Sequence, residues 1–268
     1  MRVVLCIALN VFKESVRDKV LYNLVIFAVF LMAVSYLLGQ LTAGQDIKII
    51  KDLGLASISI FGLFIAVFIG IGLVSKEVER RSIYTLLSKP IRRQEFIIGK
   101  YLGLVLTLLV NITVMTAAYY TVLACMAWAA GGWFLAGWEA PAVDPALLKA
   151  VAMIFLQLMM VTALALLFST FTSPILATVL TFGLYIVGQF NGDLRHFETV
   201  VPSRPVAAFA RALYYLLPNF APLDIKASVV HALPVRAGFL LLNTAYALIY
   251  ISALLGAATV IFVRRDFK

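Results

Sequence analysis

Charged side chains are scarce in this sequence. They make up 13% of its 268 residues, whereas hydrophobic residues make up 63%, and the mean hydropathy is +1.02. So few polar side chains could not keep a globule of this size in water. The composition therefore indicates a protein that lies in a lipid bilayer.

Motifs for catalysis are also missing. The chain has no G-x-x-x-x-G-K-[ST] segment, the loop that holds ATP phosphates in many ATPases. It has neither H-E-x-x-H nor G-x-S-x-G, the patterns typical of zinc proteases and serine esterases. We therefore predict that this chain is not an enzyme and holds no cofactor of its own.

Cysteine and histidine are too few for a disulfide framework or a metal site. Cys6 and Cys125 fall toward opposite membrane faces in the predicted topology, so they cannot pair. Two lone histidines, His196 and His231, are more often polar residues of the membrane interface than metal ligands. The net charge of +9 comes from cations at the ends of apolar stretches, which indicates topology and disfavours nucleic acid as a partner.

The apolar stretches contain no acid, base or histidine in their interiors. Carriers driven by protons or ions need such groups to bind and relay the ion, so a self-powered carrier is disfavoured. Uncharged polar residues do occur in them, and we assign these to helix packing and inter-helix hydrogen bonds in preference to substrate contact. The substrate-binding residues stay unknown, and we name none among this set: Asn23, Thr107, Asn111, Thr113, Gln157, Thr162, Asn243 and Ser252.

Six transmembrane helices are predicted from these stretches. About twenty apolar residues cross a bilayer, and the long fourth stretch holds two helices separated by the turn signal Thr172-Ser173-Pro174. We expect an all-α integral membrane protein with one transmembrane domain over residues 1–268. The predicted spans are 20–41, 53–75, 101–128, 148–171, 174–190 and 237–263.

The segments outside the spans also carry patterns. Residues 1–19 place Leu5, Leu9 and Phe12 on one helical face and polar residues on another, which suits an interfacial helix, although a simple lead-in to the first span fits equally well. Residues 191–236 contain two short helical runs joined by a proline-rich turn, so we predict a helical hairpin at the interface before the last span.

The distribution of basic residues predicts the topology. Fourteen of the twenty-two lie in 1–19, in 76–100 and in the last five residues, on short segments of one face. The other eight are spread over longer loops of the opposite face. Because basic residues concentrate on the cytoplasmic side, both termini and segment 76–100 are predicted to be cytoplasmic and loop 191–236 external.

Segment 76–100 is a polar island between two spans. Its cations are mixed with acids, and Pro90 divides it into two short helical pieces. The first piece places Val78, Ile83 and Leu86 along one side and its charges on the other, as in a helix lying on a surface. A solvated loop that only sets topology is the alternative interpretation.

The order of residues in this island resembles the first cytoplasmic loop of type 2 ABC-transporter permeases. An acidic-basic pair, a short helix ending Leu-Leu-Ser-Lys-Pro-Ile, then an arginine and Gly-Lys at the next span carry the resemblance, whereas Arg81, Ser82 and Tyr84 depart from the family pattern. In that family the loop is a coupling helix seated in a groove of a separate ATPase. The coupling residues that the resemblance implies are Glu77, Glu79, Arg80, Arg81, Leu86, Leu87, Pro90 and Arg93.

The resemblance further implies a permease subunit of an exporter in the bacterial cytoplasmic (inner) membrane, closest to the group named for copper-enzyme maturation. ATP and magnesium would be held by a separate ATPase subunit, and a second permease copy, in a homodimer, or a related permease would complete the pathway. Residues 1–19 would be the elbow helix of the family, and the hairpin in 191–236 would close the outer end of the pathway or simply cap the bundle. A membrane scaffold that recruits a cytoplasmic partner without transport is the alternative function.

Overall fold

The computed structural model describes residues 2–40, 46–79, 93–129, 143–191, 214 and 217–264. Within these ranges the α-helices account for nearly all residues and no strand occurs, which confirms the predicted all-α class. The α-helices are α1 (Arg2–Val16), α2 (Lys19–Gln40), α3 (Asp46–Glu79), α4 (Arg93–Ala129), α5 (Leu147–Ser169), α6 (Pro174–Gln189), α7 (Lys226–Val230) and α8 (Ala237–Arg264).

Several of these helices are long and apolar enough to cross a membrane, with mean hydropathies from 1.9 to 2.5. α1 and α2 meet at 63° and together could form one broken span, while α6, with 16 residues, is shorter than the spanning length. The membrane class is therefore confirmed, and the number of six spans stays a prediction. In the part of the chain that is described, the four spanning segments are Lys48–Gly72, Gln94–Trp128, Leu147–Ser169 and Ala237–Phe262.

α3 and α5 form the centre of the bundle. Of their most apolar windows, 78% and 67% are buried, compared with 22% for α8, which lies at the periphery. Small residues allow the close approach of the two central helices: a side chain at Gly62 of α3 would collide with Leu158 of α5, and a Cβ at Gly70 would lie 3.2 Å from the Cβ of Ala165. α2 and α4 pack against the same α3, and α8 packs against α5 and α4.

A short turn separates α5 from α6. The backbone N–H of Thr172 donates to the carbonyl of Phe168, Ser173 is extended, and Pro174 is the first residue of α6. Proline suits that position because its ring fixes a helical φ and it has no N–H to leave unpaired. Of the three residues that the sequence marks as a turn, Thr172 and Ser173 therefore lie between two helices and Pro174 begins the second.

Residues 217–236 fold back onto the bundle before α8 begins. Phe220 is fully buried, its N–H donates to the carbonyl of Gly188 at 3.0 Å, and its ring lies 5.5 Å from that of Tyr185. The N–H of Asn219 donates to the hydroxyl of Tyr246 at 2.9 Å. These contacts attach the segment to α6 and α8. A 3-10 turn (Ala221–Leu223) and α7 make up its helical part.

The two ends of the bundle are named here by residues of α3. At the Glu79 end, α3 ends and α4 begins, and at the Lys51 end lie the start of α3 and the end of α4. The contact between Phe96 of α4 and Phe262 of α8 places the last turn of α8 at the Glu79 end. Residues 217–236 accordingly lie toward the Lys51 end, where α8 begins.

Candidate functional site

The residues predicted to couple to an ATPase fall at the Glu79 end. Glu77 and Glu79 lie on the last turn of α3, and Arg93 is the first residue of α4. The structure thus brings these three positions to one end of two neighbouring helices. The others, Arg80, Arg81, Leu86, Leu87 and Pro90, lie outside the described residues, so the assignment of this coupling set stays a prediction.

The helices that flank this segment are long and unbroken. α3 has 34 residues and α4 has 37, so each continues without interruption from the segment through its membrane-crossing part. At a rise of 1.5 Å per residue, these helices are about 50 and about 55 Å long. A displacement at the Glu79 end would therefore be transmitted through two continuous helices and not through flexible linkers.

Two glycines of α4 hold α1 against the Glu79 end. A Cβ at Gly99 would lie 2.8 Å from the Cβ of Ile7, and one at Gly103 would lie 2.6 Å from the carbonyl oxygen of Ala8 and 2.7 Å from the Cβ of Val11. Glycines four residues apart let two helix backbones approach closely, as in small-xxx-small packing. α1 is therefore fixed to the base of α4, where its predicted role as an interfacial elbow would place it.

Lys100 of α4 lies between these glycines in the sequence, and its side chain is buried, with 1% exposed. Its Nζ lies 4.7 Å from the ring centroid of Phe96, which stacks on Phe262 of α8 at 5.7 Å. A cation over an aromatic face is attracted by the ring quadrupole. Although the sequence groups Lys100 with the cytoplasmic cations, the side chain is packed inside the base of the bundle.

At the Lys51 end, α3 and α4 are joined by Tyr119. Its ring lies directly over Gly54, where any Cβ would collide with it, and its hydroxyl donates to the carbonyl of Lys51 at 3.2 Å. Tyr119 is 1% exposed, so this contact is packed on all sides. The neighbouring Tyr120 donates to the carbonyl of Asp144 at 2.9 Å and so ties α4 to the start of α5.

The polar side chains of the spans bond mainly within their own helices. Hydroxyls of Thr107, Thr113 and Thr162 donate to carbonyls four residues earlier, and the Asn111 amide donates to the carbonyl of Thr107. Gln157 of α5 makes a long contact to the hydroxyl of Tyr185 on α6, at 3.4 Å. The prediction of inter-helix hydrogen bonds therefore fits Gln157, while the threonines and Asn111 satisfy their own helix.

Two buried polar side chains differ from this pattern. Thr116 of α4 and Asn243 of α8 are 9% and 4% exposed, and neither Thr116 Oγ1 nor Asn243 Nδ2 has a hydrogen-bond partner. Counted from the Phe96–Phe262 contact, the two residues lie about 30 Å and about 28 Å along antiparallel helices that pack together. They therefore lie at nearly the same depth.

Among the described residues, no three histidine, cysteine, aspartate or glutamate side chains lie close enough to hold a metal ion.

The Tyr119 contact was not predicted because Gly54 and Tyr119 are far apart in sequence and carry no periodic signal. The Gly99 and Gly103 spacing was a visible packing signal, although the sequence did not identify α1 as its partner.

These features define a class of protein before any comparison. A helical bundle with several membrane-crossing helices, two of which flank a charged segment, has the architecture of a transporter's membrane subunit. The sequence model of the ABC-2 family transporter proteins matches residues 5–267. The chain therefore belongs to the ABC-2 transporter family, and it is the permease type of subunit of an ABC transporter.

No curated protein matches this chain in a sequence comparison. The family match covers nearly the whole chain, including most of residues 1–19, segment 76–100 and residues 191–236. It does not separate the subgroups of the family, so the resemblance to the copper-enzyme-maturation group stays a prediction. Association with a membrane and with an ABC ATPase follows from the family.

Proposed function

We propose that this chain is the membrane subunit of an exporter in the bacterial cytoplasmic membrane, with both termini in the cytoplasm. Two copies form the pathway, and two separate ATPase subunits bind ATP and magnesium. Segment 76–100 docks on the ATPase through Glu77, Glu79 and the residues that follow them. Closure of the ATPase pair then moves the segment and the helices on either side of it.

The observation that carries this proposal is the continuity of α3 and α4 on both sides of the segment. α3 extends past its apolar part to Glu79, and α4 begins at Arg93, seven residues before the buried Lys100. A surface loop that only sets topology has no need of rigid helices that continue into the bilayer. A coupling device does need them, because a force applied at a flexible joint is lost there.

The attachment of α1 supports the same mechanism. Because α1 contacts α4 through Gly99 and Gly103, and α8 contacts α4 through Phe96, the base of α4 moves together with both of them. A push on the segment is thus spread over several helices. The elbow role implied by the family resemblance fits this arrangement.

The interior of the spans limits the kind of substrate. From residue 53 to 75, 101 to 128 and 237 to 263 the chain has no acidic, basic or histidine side chain, so these stretches offer no counter-charge for a bare ion. An amphipathic or lipid-like molecule, whose apolar part needs no such charge, suits this interior better.

Glu79→Ala tests the coupling surface. If Glu79 forms a partly desolvated ion pair in an ATPase groove, its loss costs about 2–5 kcal/mol of association, whereas an exposed acid contributes under about 1 kcal/mol. The matched control is Asp52→Ala, which removes an exposed acid from the opposite end of the same helix. The permease is co-expressed with its ATPase, and both retention of the ATPase and stimulated ATP hydrolysis are measured at equal permease abundance.

We expect Glu79→Ala to lose the ATPase and Asp52→Ala to retain it. Equal retention by both variants would remove Glu79 from the coupling set. ATP hydrolysis by the isolated permease, free of contaminating ATPase, would contradict the division of labour between subunits. A partner that is captured without any ATP turnover would favour the scaffold alternative.

A further inference from the structure

A cavity of about 180 Å³ lies at the Lys51 end, between the start of α5 and the chain that leads into α8. One water molecule occupies about 30 Å³ of liquid, so the cavity has room for a group of several non-hydrogen atoms. It combines two charged side chains with an apolar wall. The lining residues are Asp144, Ala146, Lys149, Val229, Ala232, Leu233, Pro234 and Val235.

The cavity lies at the level where helices enter the bilayer. Lys149 is the last charged residue of α5, and no ionisable side chain follows it up to Ser169. Val235 comes two residues before α8, which has no charge until its final turn. The lining is therefore shared between the start of one membrane-crossing helix, α5, and the segment that leads into another, α8. Phospholipid headgroups occupy this level of a membrane.

The two charged residues of the lining are held in different ways. The Asp144 carboxylate accepts a hydrogen bond from the N–H of Ala146 at 2.8 Å, and its backbone carbonyl accepts one from Tyr120. Asp144 is thereby fixed at the start of α5, within electrostatic range of Lys51. Among the described residues, Lys149 is exposed and its ammonium takes part in no ion pair. The start of α5 thus brings to the cavity a carboxylate fixed by a hydrogen bond and an exposed ammonium.

We propose that this cavity binds the phosphoethanolamine headgroup of a membrane phospholipid. The lipid phosphate pairs with the Lys149 ammonium, and the lipid ammonium donates to the Asp144 carboxylate. The start of the acyl region lies against Leu233, Pro234 and Val235. In the predicted topology the lipid belongs to the outer leaflet. This proposal depends on residues of the permease alone and not on export or on the ATPase.

The opposite charges of the lining set the preference among headgroups. A glycerol headgroup carries only the negative phosphate, so it gains from Lys149 and is repelled by Asp144. A choline headgroup has both charges, but its trimethylated nitrogen has no N–H to donate to Asp144. Hydrogen bonds to charged groups are roughly twice as strong as neutral ones. Ethanolamine is therefore the headgroup that satisfies both side chains.

The backbone of Ala232 is consistent with a cavity kept open. Its φ is +55°, a left-handed conformation that residues other than glycine seldom adopt. Such conformations persist where the surrounding structure demands them, and they are frequent at ligand-binding sites. The turn puts a methyl group, the smallest side chain short of glycine, at the cavity wall.

The test measures lipid retention by the purified, full-length permease. The protein in detergent is mixed with equimolar phosphatidylethanolamine, phosphatidylglycerol and phosphatidylcholine of the same acyl chains, and bound lipid is counted by native mass spectrometry. We expect phosphatidylethanolamine to be retained about tenfold over the other two, the ratio that one charge-assisted hydrogen bond supplies. Equal retention of all three lipids would overturn the proposal.

Variants assign the binding to this cavity. Lys149→Gln should lower phosphatidylethanolamine retention about tenfold, and because Lys149 is exposed this variant should fold. Asp144→Asn keeps the acceptor for Ala146 and should shift the preference toward phosphatidylglycerol. The control is Lys226→Gln, which removes a cation that pairs with Asp224 at 3.3 Å and does not line the cavity. Unchanged retention in Lys149→Gln would reject the site.

A competition experiment with a soluble compound distinguishes a membrane lipid from a water-soluble ligand. O-phosphoethanolamine is added as a competitor to the phosphatidylethanolamine complex. Displacement that depends on Lys149 supports recognition of the headgroup of a lipid. Binding of the soluble compound with no retention of the lipid would overturn the membrane source. The ATPase assays on Glu79→Ala are unaffected by either outcome, so failure here and failure of the proposed export function are told apart.

Discussion

Gly103→Ala is the sharpest perturbation of the joint between α1 and α4. The added Cβ would lie 2.6 Å from the carbonyl oxygen of Ala8 and 2.7 Å from the Cβ of Val11. Cβ atoms essentially never come within 3.0 Å of another heavy atom, and the carbonyl belongs to the backbone, so no side-chain rotation relieves the clash. The two helices must move apart.

Two opposing contributions decide the sign of this change. Replacing glycine by alanine inside a helix stabilises it by about 0.5–1 kcal/mol. Overpacking a tight contact costs about 1–3 kcal/mol. Because the nearest atom is backbone, we expect the upper part of that range and a net loss of about 1–2 kcal/mol. Gly99→Ala, with a closest contact of 2.8 Å to a side chain, should lose less.

Gly256→Ala is the matched control, since a Cβ at this glycine of α8 would meet nothing within 4 Å. Only the gain from replacing glycine by alanine in a helix applies at Gly256, without the cost of overpacking. This variant should therefore be slightly more stable than the unmodified chain. The assay is thermal unfolding followed by far-UV circular dichroism in one detergent, repeated with retention of the ATPase. If Gly103→Ala unfolds at or above the temperature of Gly256→Ala, α1 is not anchored by this contact.

Three further predictions concern the other contacts. Tyr119→Phe keeps the ring but loses the bond to the Lys51 carbonyl, which should lower the unfolding free energy by about 1 kcal/mol, and no change in chemical denaturation would show that the hydroxyl contributes nothing. Asn243→Leu removes an unpartnered buried amide, so stability should hold or rise; a clear loss in the same assay would mean that the amide has a partner. In a cysteine-free background, Arg236→Cys should react with an impermeant thiol reagent in intact cells and Arg92→Cys should not, and the reverse result would invert the topology.

The all-α class and the break between α5 and α6 could be predicted because they depend on local signals. Thr172 and Ser173 lie between the two helices, and α6 begins at Pro174 because proline begins helices readily and breaks them elsewhere. The sequence places a span at 53–75, bounded by charges, whereas α3 runs from Asp46 to Glu79. A charge ends an apolar stretch but does not end a helix. Lys51, for example, lies inside α3 with a buried side chain, and its backbone carbonyl accepts the hydrogen bond from Tyr119 of α4.

The contacts between distant segments could not be predicted in the same way. The collision of Gly54 with Tyr119 depends on how α3 and α4 align, and no residue near either position encodes that alignment. Lys100 was grouped with surface cations because its neighbours in sequence are charged, yet the Glu79 end of α4 is covered by α1 and α8. The candidate coupling residues were identified from the order of residue types in segment 76–100. Such a motif supports the assignment to a family, but it does not predict the geometry of the site.

The positions of the contacts limit how a push on segment 76–100 can act in the proposed transporter. Tyr119 locks α3 to α4 about 40 Å from both Glu79 and Arg93, counted along the helices at 1.5 Å per residue. Sliding α3 along α4 would move the Tyr119 ring away from Gly54. The ring needs a glycine beneath it, because a Cβ at position 54 would collide with it. Tilting about this contact keeps it intact. A tilt of about 5° about this contact, over the length of about 40 Å, moves the Glu79 end by about 3–4 Å. α1 would move with α4 through the contacts at Gly99 and Gly103. The Glu79 end is therefore the moving end and the Lys51 end the pivot.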